Sequence, residues 1–232
     1  MIHAYGSPHA PVPRLIAALA TRGFRSGRPG EAPASGAARD AATLVLGPGV
    51  ALDDLSLGVQ LGAWRRASGA RVLVLSLIGA HPDARAERLR QLWRLEEWAR
   101  ATALPVLTLR LAPLVGPASP LWLKLRSRPG LPRMRRHPLN PVDESDVLET
   151  LARALEGRAG WEGWYEVAGP EILSLEELAE LARPGGPVKT PGDWEPPLAE
   201  LEEHRLSEWG PWAGHFGVTP GAVSARAREW SR

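Results

Sequence analysis

The hydrophobic positions of this chain fall in short blocks that switch between continuous apolar runs and helical spacing. Met1–Tyr5 is a brief apolar segment closed by Gly6 and predicts a strand. Leu15, Ala18, Leu19 and Arg22 then lie on one helical face of Arg14–Arg22, which Gly23 stops. Phe24–Arg25 can open a second strand, whereas Ser26–Asp40 is rich in Gly, Pro, Ala and Ser and reads as a loop. Thr43–Leu46 is a compact apolar run ended by Gly47-Pro48-Gly49. Leu52–Ser68 returns to helical spacing, with Asp53 and Asp54 at the end where the helix dipole favours them. Arg71–Ile78 is the strongest strand signal, because its β-branched and leucine residues run almost unbroken, as a parallel strand covered on both faces requires. Asp83–Thr102 predicts an amphipathic helix with Leu89, Leu92, Trp93, Leu95 or Glu96, and Ala99 along its stripe, and it feeds a buried strand at Val106–Leu111.

Strand–helix–strand alternation of this kind predicts an α/β fold with a doubly wound, mostly parallel sheet. Beyond Leu111 the rhythm changes. A Pro/Gly-rich loop (Ala112–Pro120) leads to a short helix around Leu121–Leu125, an arginine-rich loop (Arg126–His137), a helix over Asp143–Glu156 and a last strand at Trp164–Val167. Ser174 and Glu177 have capping-box spacing for a helix through Leu181, and from Gly185 a tail mixes proline with tryptophan. One domain spanning 1–232 is expected: a core sheet with its helices in 1–111, and a C-terminal part with a small substrate-type lobe in 112–232.

Composition narrows the chemistry. With no cysteine there is no disulfide, no thiolate nucleophile and no Cys-ligated metal, and the six histidines have no ligand spacing, so no metal is expected. The formal net charge is only +2. No apolar run approaches the ~20 residues of a membrane span, and a cytoplasmic protein follows. Lys124, Arg126, Arg128, Arg133, Arg135 and Arg136 crowd into one loop. Arg133, Arg135 and Arg136 are candidates for holding a phosphate or an acidic partner, but no aromatic residue lies among them to stack a base, which argues against nucleic acid. Trp194, Trp209, Trp212 and Trp230 of the tail either fasten it to the domain or form an exposed patch.

Several consecutive pieces carry a family resemblance. VLSLIGA (Val74–Ala80), LPVLTLRLAPLVGP (Leu104–Pro117), NPVDESDV (Asn140–Val147) and WYEVAGPEILSLEELA (Trp164–Ala179) follow one another as the matching segments do in the atypical and extended short-chain dehydrogenases. In that respect the chain resembles the NmrA-like and NAD-dependent epimerase-like group. The resemblance implies a Rossmann-type sheet, here trimmed in its N-terminal half. It also implies a ligand crevice at the carboxyl ends of the strands, which draws together Gly6, Ser7, Gly47, Pro48 and Ser76 as cofactor-binding candidates for NAD or NADP, with Leu111 and Ala112 beside them.

Two departures set this chain apart. The family's TGxxGxxG turn corresponds to YGSPHAPV (Tyr5–Val12), where Gly6 survives but His9 and Val12 stand in place of the other glycines, and Pro8, Pro11 and Pro13 remove backbone donors. Gly6 reads equally as an ordinary turn glycine. The family's acid/base is a tyrosine four residues before a lysine, whose ammonium lowers the phenol's pKa. The only tyrosines here are Tyr5 and Tyr165, followed at that spacing by His9 and Gly169; the aligned positions are about Arg88 and Leu92. Ser76, in the region of the family's catalytic serine, reads equally as a small hydroxyl ending a buried strand. Asp143 and Asp146 match the family's segment aspartates and read as helix-capping and dipole-pairing groups.

Three functions stay open. The first is a degenerate member acting as a nucleotide or ligand sensor, regulatory subunit or scaffold toward a small molecule or protein partner. The second is a working NAD(P)-dependent reductase or epimerase with displaced catalytic groups, and the third a nucleic-acid- or protein-binding module using the arginine loop.

Overall fold

The computed structural model describes residues 2–5, 11–26, 43–50, 64, 70–127, 136–184, 201 and 206–230. Strands β1 (Ile2–Tyr5), β2 (Thr43–Leu46), β3 (Arg71–Leu77), β4 (Val106–Leu111) and β8 (Trp164–Val167) form a parallel five-stranded sheet in the order β1-β2-β3-β4-β8. A single parallel bridge, Ile2 to Ser26, extends the sheet beyond β1. The second strand that Phe24–Arg25 could open is therefore reduced to this one bridge among the described residues. Short pairs complete the set: β5 (Leu114–Val115) with β7 (Val142–Asp143), and β6 (Pro138–Leu139) with β9 (Leu173–Ser174). The helices are α1 (Pro11–Thr21), α2 (Glu87–Arg100), α3 (Pro120–Ser127), α4 (Glu144–Leu155), α5 (Leu175–Ala182), α6 (Gly210–Phe216) and α7 (Val223–Trp230). The architecture is a doubly wound, Rossmann-type α/β fold.

Alternation along each strand decides which layer it feeds. Leu73 and Leu75 of β3, with Leu107 and Leu109 of β4, face α1, α4 and α6 and close one cluster over Leu15, Leu19, Val147, Leu151 and Trp212. Val72 and Val74, with Leu44 and Leu46 of β2, face the opposite way onto Leu89, Leu92, Leu95 and Trp64. A third cluster, around Trp122, Leu139, Leu178 and Val223, is the core of the C-terminal lobe. Strands buried on both faces are what the unbroken apolar run at Arg71–Ile78 called for.

Helix boundaries differ from expectation for identifiable reasons. The first helix begins at Pro11 rather than Arg14, because the first-turn N–H groups have no intrahelical acceptor and prolines at positions one and three lose nothing there. The same holds for α3, which starts at Pro120 and whose Trp122 N–H is taken by the Ser119 hydroxyl (3.2 Å). Helix α2 is shorter than Asp83–Thr102, and Ala103, at φ 59°, turns the chain out of it. Asp143 lies outside α4 as its N-cap, accepting the Ser145 N–H at 2.8 Å. Of the helix expected over Leu52–Ser68, only Trp64 is among the described residues; it is helical and buried. No helix among the described residues is long and apolar enough to cross a membrane.

Candidate functional site

In an open parallel sheet the crevice for a ligand opens at the carboxyl ends of strands where the winding reverses. Here that point lies between β1 and β2, since the chain leaving β1 returns through Ser26 on one side while β2 pairs on the other. Gly47 and Pro48 follow β2 directly and are buried. Gly47 is not an open floor. A Cβ placed on it would lie 2.2 Å from Val12 Cγ2 and 3.5 Å from Val12 Cβ, so the first turn of α1 fits its valine into the space the glycine leaves. In the resemblance drawn from the sequence, Val12 stands where a glycine would allow helix and strand to pack closely. In this chain the close approach persists with the sizes reversed: valine on the helix, glycine on the neighbouring strand.

Ser76, one residue before the end of β3, pairs across the sheet with Arg110 of β4. It is 1% exposed, and its hydroxyl has no hydrogen-bond partner among the described residues. By alternation it shares the α2 face of the sheet with Val72, Val74 and Arg110. The groups nearest to chemistry on that face are Glu96 of α2 and Arg110, joined at 3.0, 3.2 and 2.7 Å. Arg110 also lies over the Trp164 ring, its guanidinium carbon 4.7 Å from the centroid, and Arg100 reaches Glu96 at 3.6 Å. Leu92, one turn before Glu96, is buried in the apolar cluster against β2 and β3. At about the positions where the family resemblance would place a tyrosine and a lysine, α2 carries half-buried Arg88 and the core residue Leu92.

The tyrosines are elsewhere. Tyr5 ends β1, and Tyr165 lies on the edge strand β8, its hydroxyl 3.0 Å from His215 Nδ1 and its ring stacked on that imidazole at 4.3 Å. Burial, and secondarily the Glu162 charge, raises the Tyr165 pKa above the ordinary phenol value, the wrong direction for an acid/base at neutral pH.

A second cleft of about 520 Å³ opens between α1, the turn after β5, the start of α4 and α7. Several of its charged walls are paired, although Arg14 Nη2 is buried without a hydrogen-bond partner among the described residues. Arg14 reaches Glu144 (2.5 Å), and Arg226 of α7 holds Asp143 (2.5 Å), Ser145 (2.6 Å) and Asp146 (2.8 Å), while Asp146 also accepts the Gly221 N–H at 3.0 Å. Desolvation raises the Asp146 pKa, opposed by the hydrogen bonds from Gly221 and Arg226. Asp143 caps α4 as expected, but Asp146 anchors the C-terminal segment rather than serving only the helix dipole. Glu96 had a visible signal, a carboxylate on the apolar stripe of its helix, whereas nothing local in the sequence marks Arg226 as the partner of Asp143.

Gly6, Ser7, Arg133 and Arg135 lie outside the described residues. Arg136 is exposed and meets Glu176 of α5 at 3.4 Å.

No family model matches the chain, and no curated protein matches it in sequence. Several solved structures do match over nearly their whole length. MoeE5 in complex with UDP-glucose and NAD superposes with a TM-score of 0.70 at 14% identity, covering 100% of this chain and 98% of that one. A monomeric L-threonine 3-dehydrogenase from a metagenome gives 0.65 at 10% identity, with 99% and 97% covered. UDP-glucose 4-epimerase from Thermotoga maritima gives 0.64 at 13%, with 100% and 99% covered. At these identities the likeness is one of fold: the chain has the architecture of the NAD-dependent epimerases and short-chain dehydrogenases.

Proposed function

We propose that this protein is a non-catalytic relative of the NAD-dependent epimerases that works by binding, as a ligand sensor, regulatory subunit or scaffold toward a small molecule or a protein partner. The observation that carries this reading is the seating of α2 on the sheet. Where the superfamily's acid/base chemistry needs a lysine behind a tyrosine, this helix buries Leu92 in the core and closes the layer with the Glu96–Arg110 pair. A leucine neither lowers a phenol's pKa nor holds a ribose hydroxyl.

A second reading, an NAD(P)-dependent reductase or epimerase with displaced groups, draws on the unpartnered Ser76 hydroxyl. It requires a proton carrier beside that hydroxyl. The ionisable residue directly across the strands, Arg110, commits its guanidinium to Glu96 and has donors but no acceptor.

The test is turnover. The purified chain is incubated with NAD and UDP-glucose and followed by proton NMR for an epimer, and with NADH or NADPH and a panel of aldehydes and ketones, following nicotinamide absorbance. No product above the protein-free control is expected. Reproducible turnover abolished by Ser76→Ala would replace the first reading with the second.

A further inference from the structure

The structural relatives include a protein solved with NAD, so the residues of this chain can be tested against that group. A dinucleotide of this superfamily is held at two anchors: its pyrophosphate on the amides that begin the first helix, and its nicotinamide ribose on the lysine of the acid/base dyad. Both anchors are filled here by other structure.

At the first anchor, α1 opens Pro11-Val12-Pro13. Two of its first three positions have no N–H, so Val12 offers the one amide among them, and in the sequence Pro8 also lacks an N–H. Val12 cannot give way to let a phosphate approach. It is 1% exposed and its Cγ2 occupies the hollow of Gly47, the contact that seats α1 against β2. The first cation on α1, Arg14, is drawn aside by Glu144 of α4 at 2.5 Å. At the second anchor the ammonium is replaced by Leu92, buried among Leu89, Leu95 and the valines of β3.

From these observations we infer that the chain has kept the dinucleotide fold but does not bind NAD or NADP: the start of α1 has become a packing joint, and the crevice has lost both of the dinucleotide's anchors. The inference rests on the non-catalytic reading above and extends it from the reaction to the coenzyme. Each charge-assisted hydrogen bond lost from a phosphate lowers affinity by roughly ten- to a hundredfold, so the loss of several takes a micromolar site beyond the millimolar range.

The experiment is a calorimetric titration of the full chain with NAD, NADH, NADP, NADPH and ADP, with thermal melts of the same mixtures. A ligand present at about 100 times its Kd would raise Tm by roughly 5–10 °C in a domain of this size. The inference expects neither heat of binding nor a Tm shift with any of the five at about 5 mM. Saturable one-to-one binding of any of them, seen as heat or as a Tm rise at that concentration, would overturn it. Binding without turnover would overturn this inference and leave the non-catalytic reading intact; binding with turnover would overturn both.

Discussion

The valine–glycine joint between α1 and β2 makes a quantitative prediction that separates packing from backbone effects. Gly47 lies outside the left-handed region, so its backbone accepts an alanine without strain. Taken alone, the smaller entropy of the unfolded chain would make Gly47→Ala stabilising by about 0.4–1 kcal/mol. The contact opposes this. The new Cβ would sit 2.2 Å from Val12 Cγ2, well inside the ~3.5–4.0 Å of an ordinary carbon contact, and relieving that overlap in a packed core costs about 1–3 kcal/mol. The net expectation is a loss of about 1–2 kcal/mol. Val12→Ala removes two buried methyl groups and leaves a hollow, at a cost of about 2–3 kcal/mol. In the double variant the alanine at 47 has room and refills part of that hollow. Its loss should fall about 2 kcal/mol short of the sum of the singles, far outside the ~0.5 kcal/mol of ordinary additivity. Urea unfolding followed by tryptophan fluorescence measures all three. A neutral Gly47→Ala, or an additive double variant, would refute the joint and with it the argument that α1 cannot yield to a phosphate.

Removal of Arg226 leaves Asp143 and Asp146 buried without their counter-ion, so Arg226→Ala should destabilise by about 3 kcal/mol and render the C-terminal segment protease-sensitive ahead of the sheet, as limited proteolysis would report. Breaking the other buried pair one-sidedly, by Arg110→Met, leaves buried Glu96 with only the 3.6 Å contact to Arg100 and should cost about 3 kcal/mol, whereas Arg110→Met combined with Glu96→Leu should recover most of it; equal losses in chemical denaturation would contradict that coupling. The capping box of α5 gives a pH signature. The Ser174 N–H, then the Ser174 hydroxyl, hold the Glu177 carboxyl below its ordinary range. The stability it supplies is therefore present above the ordinary glutamate pKa and lost as pH falls through the lowered value. Stability measured across that window should lose this component in Glu177→Gln, and Ser174→Ala should cost about 1 kcal/mol at neutral pH.

Much of the architecture could be read from the chain because parallel strands and their crossover helices announce themselves locally. The run at Arg71–Ile78, the strand at Val106–Leu111 and the Ser174 capping box needed no long-range information. The helix starts at Pro11 and Pro120 were misplaced because proline reads as a breaker unless it falls in a first turn, where it is neutral. The absence of a tyrosine–lysine dyad was legible from two tyrosines alone. The contacts around it were not, since the Glu96–Arg110 pair joins a helix to a strand and the Arg226 clasp joins residues 80 or more apart in sequence. The tail tryptophans divided. Trp212 is fully buried with its indole N–H on the Ala168 carbonyl at 3.0 Å, and Trp230 packs edge-on against Trp122, while Trp209 is 43% exposed. The sequence pattern, which marks amphipathic faces, held no sign of that division because the tail has no regular period.

The central claim, that the fold has outlived its redox chemistry, is tested most directly by single-turnover hydride transfer. The protein is held in molar excess over NADH or NADPH together with a mixture of small carbonyl compounds, and loss of nicotinamide absorbance is followed for hours against a protein-free control. The account predicts superimposable traces, since the sequence has no tyrosine four residues before a lysine and, on the inference above, the coenzyme is not bound. A protein-dependent decay that scales with protein concentration and is lost on heat denaturation would contradict it.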